Sequence, residues 1–84
     1  MLEIEVGIVD GFFAKPVVAG VRLSGKAKVG DRIRIVGHTT DLMMTVESMQ
    51  VDNKPVSEAY SGQSVGIKVA DRVRSGDKVY LITE

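Results

Sequence analysis

Residues 20–37 read GVRLSGKAKVGDRIRIVG, and the reading of this stretch decides the fold. Gly20, Gly25 and Lys26 stand at the spacing of the phosphate-binding loop G-x-x-x-x-G-K-[ST], but Ala27 replaces the hydroxyl that would hold magnesium. Such a loop also opens a helix, whose free N–H groups meet the anion. Here Gly30 follows within three residues, and Arg32-Ile33-Arg34-Ile35 alternates polar with apolar at the period of a strand. The stretch therefore reads as strand, glycine-serine-lysine turn, strand, and neither ATP nor GTP is expected to bind it.

Working outward, the same period-2 pattern recurs. Leu2, Ile4, Val6 and Ile8 alternate with Glu3, Glu5 and Gly7, so one face of a first strand is buried. Asp10-Gly11 reads as a turn, and residues 17–23 follow Pro16, which suits a strand's first position because it has no N–H to donate. Residues 31–37 form a third strand. In the run 42–51, Met44 and Val46 keep one phase while Met49 and Val51 keep the other, which predicts a bulge near Glu47-Ser48. Residues 64–69 and 78–82 complete six strands, with no helix. Nine glycines punctuate the chain. The architecture expected is all-β: a small closed antiparallel barrel of about six strands, one domain over residues 1–84, whose closure leaves no exposed edge. VGDRIRIV and SGDKVYLI repeat a Gly-Asp turn chemistry, in which glycine accepts the turn dihedral and aspartate caps the backbone.

At 84 residues the chain can bury one modest core. Eleven Lys and Arg balance eleven Asp and Glu, so no global field drives it onto nucleic acid or an anionic membrane, and charge-based binding must be local. There is no cysteine, which removes disulfides, thiolate catalysis and zinc–sulfur sites. No apolar run approaches a membrane span, and the opening MLEIEV is acidic rather than signal-like. A soluble, cytoplasmic protein without cofactor is expected.

Four segments, GKAKVGDRIRIVG, TVESMQV, EAYSGQSVGIKV and SGDKVYLI, occur in an order and spacing that resemble the second, β-barrel domain of translational GTPases such as elongation factor Tu. The likeness runs from about Val6 to Ile82. It extends to the short stand-alone translation elongation factor-like proteins, in which the HTTD and TVESMQ segments are also similar. In the factors the true phosphate-binding loop lies in a separate, preceding domain, so the resemblance implies the barrel and not GTP binding. It also implies a position for the pocket that holds the aminoacyl end of tRNA. That pocket's Gly-Arg-Gly-Thr turn falls on Phe13-Ala14-Lys15-Pro16, its stacking glutamate on Gln50, its asparagine on Ser64 and its second arginine on Tyr60. Gln50 keeps a planar, hydrogen-bonding group; the other positions are replaced, so aminoacyl-tRNA recognition is not expected to carry over.

His38-Thr39-Thr40-Asp41 holds the sole histidine. A catalytic zinc needs three protein ligands and a triad needs an oriented base, so a polar turn in which Thr40 or Asp41 bonds the backbone is expected, and no enzyme. Phe12-Phe13 falls in a predicted loop, with one ring plugging the barrel end and Phe12 the candidate contact. Arg22, Lys26, Lys28, Arg32 and Arg34 crowd into thirteen positions. On a hairpin of the second and third strands, Arg22, Arg32 and Arg34 would share the outward face, a patch able to meet phosphates or simply a solvated face. The expected function is a non-enzymatic binding module contacting RNA, the ribosome or a translation-related partner through Arg22, Lys26, Lys28, Arg32, Arg34, Gln50 and Phe12. The alternative is a protein–protein adaptor without nucleic-acid binding.

Overall fold

The computed structural model describes residues 2–14 and 17–83. Its elements are β1 (Leu2–Ala14), β2 (Val17–Leu23), β3 (Ala27–Lys28), β4 (Arg32–Val36), β5 (Asp41–Thr45), β6 (Met49–Val51), β7 (Lys54–Val56), β8 (Glu58–Ala59), β9 (Ser64–Lys68) and β10 (Lys78–Thr83). No helix occurs among them. Eight strands form one antiparallel sheet in the order β5-β4-β10-β1-β2-β9-β6-β7, and β3 pairs with β8 in a separate ribbon.

The expectation of a closed six-stranded barrel is corrected here. The sheet has edges at β5 and β7, and it coils round one core to which nearly every strand contributes: Val9, Val21, Ile33, Ile35, Met49, Ile67 and Val79 are all essentially inaccessible. The run 41–51 explains why no ladder closes it. Its first half, β5, pairs with β4, and its second half, β6, pairs with β9 and β7. Residues 46–48 thus link edge strand β5 covalently to β6, the strand next to the opposite edge. Val46 donates its N–H to the Asp31 carbonyl, and the Ser48 carbonyl accepts from the Lys68 N–H. The phase slip between Val46 and Met49 is accordingly a change of partner strand rather than a bulge.

A bulge does occur, at Asp10-Gly11, where a turn was expected. β1 runs on to Ala14, and its register with β2 shifts between Val9 and Gly11, leaving Asp10 as the extra residue. Pro16, expected at the first position of β2, lies with Lys15 outside the described residues.

The Gly-Asp turns form as expected. Gly30 and Gly76 take φ of 97° and 96°, and Asp31 and Asp77 accept hydrogen bonds from the N–H groups of Lys28 and Arg74 at 2.9 and 2.8 Å. A third copy, Tyr60-Ser61-Gly62-Gln63, uses an amide instead: Gly62 has φ 91°, and the Tyr60 N–H donates to Gln63 Oε1 at 2.7 Å. In the polar 38–41 segment the Gly37 N–H donates to the Thr40 carbonyl at 2.8 Å, whereas the Asp41 side chain turns to Arg34.

Candidate binding cleft

β2 and β9 present alternate residues outward in facing pairs: Val18 with Lys68, Gly20 with Gly66, and Arg22 with Ser64. The inward partners Ala19, Ile67, Val21 and Val65 are buried, which fixes the outward set. The glycine pair has no side chains and forms the floor of a cleft of about 450 Å3. Phe13 on β1 and Gln50 on β6 stand at its sides, and Asn53, Asp52 and Ser64 complete the polar lining. Asp10 leans in from the β1 bulge. A Cβ at Gly20 would lie 2.8 Å from Asp10 Oδ1, so that carboxylate occupies the space the glycine leaves. Asp52 and Asn53 form the β6–β7 turn with φ of 53° and 63°, a hairpin conformation that aspartate and asparagine tolerate. Arg22 and Lys68 continue the outward rows on either side of the glycine floor, each about 7 Å along its strand at two residues' rise.

Three positions that the sequence resemblance placed around one pocket, Phe13, Gln50 and Ser64, are therefore brought together. Tyr60 is not among them. Its hydroxyl donates to Glu58 Oε1 at 2.6 Å and Lys26 Nζ stands 5.7 Å from its ring centroid. That hydrogen bond, ahead of Lys26, holds the Glu58 carboxyl below its ordinary range and pushes the Tyr60 phenol up.

The two phenylalanines exchange the roles expected of them. Both lie in β1 rather than a loop. Phe12 packs on the core with Arg72 5.6 Å above its ring, while Phe13 is 63% exposed. Of the two phenylalanines, Phe13 is the one available for contact.

The five-cation patch does not form one face. β2 and β4 are not a hairpin, because β1 and β10 lie between them. Pairing across the chain's long connections, which alternation cannot reveal, separates Arg22 from Arg32 and Arg34. Arg34 is held by Asp41 through two bonds of 2.9 Å and by Glu3 at 3.2 Å. These bonds raise its pKa further above the ordinary range and lower that of Asp41. Lys26 pairs with Glu58 at 3.3 Å. Lys26, Lys28 and Arg32 do share a groove, distinct from the cleft, of about 480 Å3. Residues 24–26 lead into β3 instead of a helix, so the phosphate-loop spacing has no anion-binding geometry behind it. Among the described residues no three His, Asp or Glu side chains converge to hold a metal, and no helix is long and apolar enough to cross a membrane.

Sequence comparison places these features in a family. An uncharacterized protease of Methanocaldococcus jannaschii is 43% identical over 83 residues, covering 98% of this chain and 20% of that protein. A collagenase of Porphyromonas gingivalis is 35% identical over 80 residues, 93% of this chain and 19% of its own length. This chain thus spans about a fifth of the curated relatives it matches. Crystal structures of the C-terminal domain of a putative U32 peptidase from Geobacillus thermoleovorans share the fold. One superposes with a TM-score of 0.87 at 18% identity, covering 96% of this chain and 93% of that one. Its selenomethionine variant gives 0.84 over 89% and 95%. The family model for elongation factor Tu domain 2 matches residues 16–77. The chain belongs to the elongation factor Tu domain 2 family.

Proposed function

We propose that this chain is a non-catalytic binding module whose cleft receives an unpaired nucleotide of a single-stranded RNA. The observation that carries this reading is the glycine-floored cleft with a stacking ring, Phe13, and planar amides, Gln50 and Asn53, at its walls. Arg22 and Lys68 stand in the same outward rows. A base needs a flat slot, a π-face and hydrogen-bonding edges, and a strand needs cations spaced along its path. The module acts by holding its ligand and has no reacting group of its own.

Titrating a labelled single-stranded RNA at several salt concentrations tests the reading. Each phosphate contact contributes about 0.7 to the slope of log K against log salt. Arg22→Gln should lower that slope by about 0.7 and Phe13→Ala should weaken binding at every salt. A slope unaltered by Arg22→Gln refutes the proposal.

A second reading has its own support: Asp10 and Asp52 line the cleft, and carboxylates disfavour a phosphate there. Relatives five times longer carry the names protease and collagenase. On this reading the cleft holds a peptide segment bearing a cationic side chain. A lysine-containing peptide that displaces RNA, or binds where RNA does not, would favour it.

A further inference from the structure

The cleft carries two carboxylates, and they are placed differently. Asp52 belongs to the β6–β7 turn, whereas Asp10 reaches over the floor: its Oδ1 lies 2.8 Å from the position a Cβ at Gly20 would take. The β1 bulge puts it there. Asp10 is the extra residue between Val9, which faces Val21, and Gly11, which faces Gly20, so its side chain is released from the alternation the strand otherwise keeps. The absence of a side chain at Gly20 leaves it room.

Charge varies along the cleft. Arg22 stands two residues beyond Gly20 on β2, and Lys68 two residues beyond Gly66 on β9, in the outward rows on opposite sides of the glycine floor. Neither cation has a side-chain ion pair among the described residues, nor has Asp10. An acidic centre between two cations repels a bare phosphate at the centre and a lysine-rich segment at the flanks. It suits a nucleotide whose base donates hydrogen bonds at the centre while the neighbouring phosphates lie towards Arg22 and Lys68.

We infer that the cleft selects guanine and that Asp10 is the residue that selects it. This selectivity rests on the reading of the cleft as a site for an unpaired nucleotide. An ionised carboxylate accepts hydrogen bonds and donates none. Among the four RNA bases only guanine sets two donors side by side on its Watson–Crick edge, the N1–H and the exocyclic amino group, so both carboxylate oxygens receive charge-assisted bonds. Adenine and cytosine place an acceptor nitrogen beside the amino group, and uracil flanks its N–H with two carbonyls. Each of them turns a lone pair on Asp10. Guanine O6, on the same edge, needs a donor, and the Gln50 and Asn53 amides in the lining offer one. The spacing agrees. Phe13 faces Val18, two residues and so about 7 Å along β2 from Gly20. A hydrogen bond spans about 3 Å of that, which leaves ~4 Å for the reach of a base stacked on the ring to its paired edge.

The probes are fluorescein-labelled RNA pentamers, UUXUU, with guanosine, inosine, adenosine, cytidine or uridine at X, titrated into the full chain by anisotropy. The guanosine pentamer should bind roughly tenfold tighter than those with adenosine, cytidine or uridine. Inosine, which keeps the N1–H and lacks the amino group, should fall between. Asp10→Asn should weaken the guanosine pentamer and hold or strengthen the other three, because an amide offers one acceptor oxygen and sets its own N–H against a guanine donor, while a negative charge leaves the cleft. A merely structural role would weaken all of them. Asp52→Asn should leave the ranking intact, and thermal midpoints show that both variants fold. One affinity for every pentamer overturns the selectivity and leaves the nucleotide site standing. A guanosine preference that survives Asp10→Asn overturns the assignment to Asp10. No binding by any pentamer at millimolar concentration overturns the nucleotide site and the selectivity together, as does a lysine-containing peptide that binds in their place and is lost on Asp10→Asn.

Discussion

Replacing Gly37 by alanine should damage this fold more than any exposed-turn substitution normally does. Gly37 follows β4, and its N–H closes the turn into β5 on the Thr40 carbonyl at 2.8 Å. A Cβ built there overlaps the carboxylate of Asp77. Asp77 cannot retreat. Its residue is 5% exposed, Oδ2 accepts the Arg74 N–H at 2.8 Å, and its backbone carbonyl accepts the Val9 N–H at 2.8 Å. If the carboxylate rotates away, a hydrogen bond to a charged group is lost, about 1.5–3 kcal/mol. If the turn shifts instead, the strain is of similar size, roughly 1–3 kcal/mol. Taking about 2 kcal/mol, and ~4–8 °C per kcal/mol for a domain of this size, the midpoint should fall by roughly 8–16 °C. Urea unfolding should show a lower midpoint with an unchanged slope, which marks lost stability rather than an altered unfolded state. The mechanism is tested by a cycle. On an Asp77→Ala background the added methyl has nothing to strike, so Gly37→Ala should then cost close to zero. Additivity of the two substitutions within about 0.5 kcal/mol would refute the overlap as the cause.

Four further outcomes follow from the site. Gly20→Ala meets only the movable tip of the exposed Asp10, so the thermal midpoint should shift by less than about 8 °C. RNA binding should nevertheless fall by the worth of one stacked base, ~1–3 kcal/mol; unchanged binding would remove the cleft from consideration. The hydrogen bonds from Arg34 hold the Asp41 carboxyl below its ordinary range. The stability this contributes is therefore present above the unfolded-state pKa and is lost as pH falls through the lower folded value. Asp41→Asn should flatten the acid limb of a midpoint-versus-pH curve, and an unaltered limb would show that the pair is inert. Calorimetric titration with magnesium and GTP should give only dilution heat, because residues 24–28 open no helix; saturable micromolar binding would contradict this. Finally, with Tyr60 turned to Glu58, the chain should not slow hydrolysis of an aminoacyl-tRNA ester, and protection abolished by Gln50→Ala would restore that specificity.

The strands at residues 17–23, 31–37, 64–69 and 78–82 were legible in the sequence, because period-2 burial is a local property of each strand. In β1, Val6 and Val9 are buried while Leu2, Ile4 and Ile8 are exposed, the run 42–51 is two strands, and β3, β7 and β8 were not expected. The two Gly-Asp turns were legible for the same reason: Gly30 with Asp31 and Gly76 with Asp77 satisfy dihedral and cap within four residues. Gln63 was missed as the cap of the third turn, although Ser-Gly-Gln has the same spacing and a glutamine oxygen accepts as well as a carboxylate does. The slip in 42–51 was legible as a slip and ambiguous in kind, whereas the one at Asp10-Gly11 was read as a turn. Val9 and Phe12 both face the core three residues apart, and so do Val46 and Met49. The first slip is a bulge in a strand that keeps its partner; the second is a strand that changes partner. What separates them is the neighbour across the ladder, and no local pattern names that neighbour.

The same limit governed the basic cluster, and it is where strand order acts directly on function. Arg22, Lys26, Lys28, Arg32 and Arg34 are close in sequence, and a hairpin would have made them a single patch. With β1 and β10 inserted between β2 and β4, the cluster divides. Arg22 joins Ser64 beside the cleft, Arg34 is neutralised by Asp41 and Glu3, and Lys26 by Glu58. Lys28 and Arg32 remain without a side-chain ion pair among the described residues, Arg32 on the outer face of β4 beside Met43. Of the five, Arg22 alone stands in the outward row that continues the cleft floor. Arg22→Gln should therefore weaken RNA binding in the proposed cleft, whereas Arg34→Gln, whose guanidinium is already held by Asp41 and Glu3, should not. An equal loss of RNA binding from the two substitutions would show that the five cations act as one patch and refute the division.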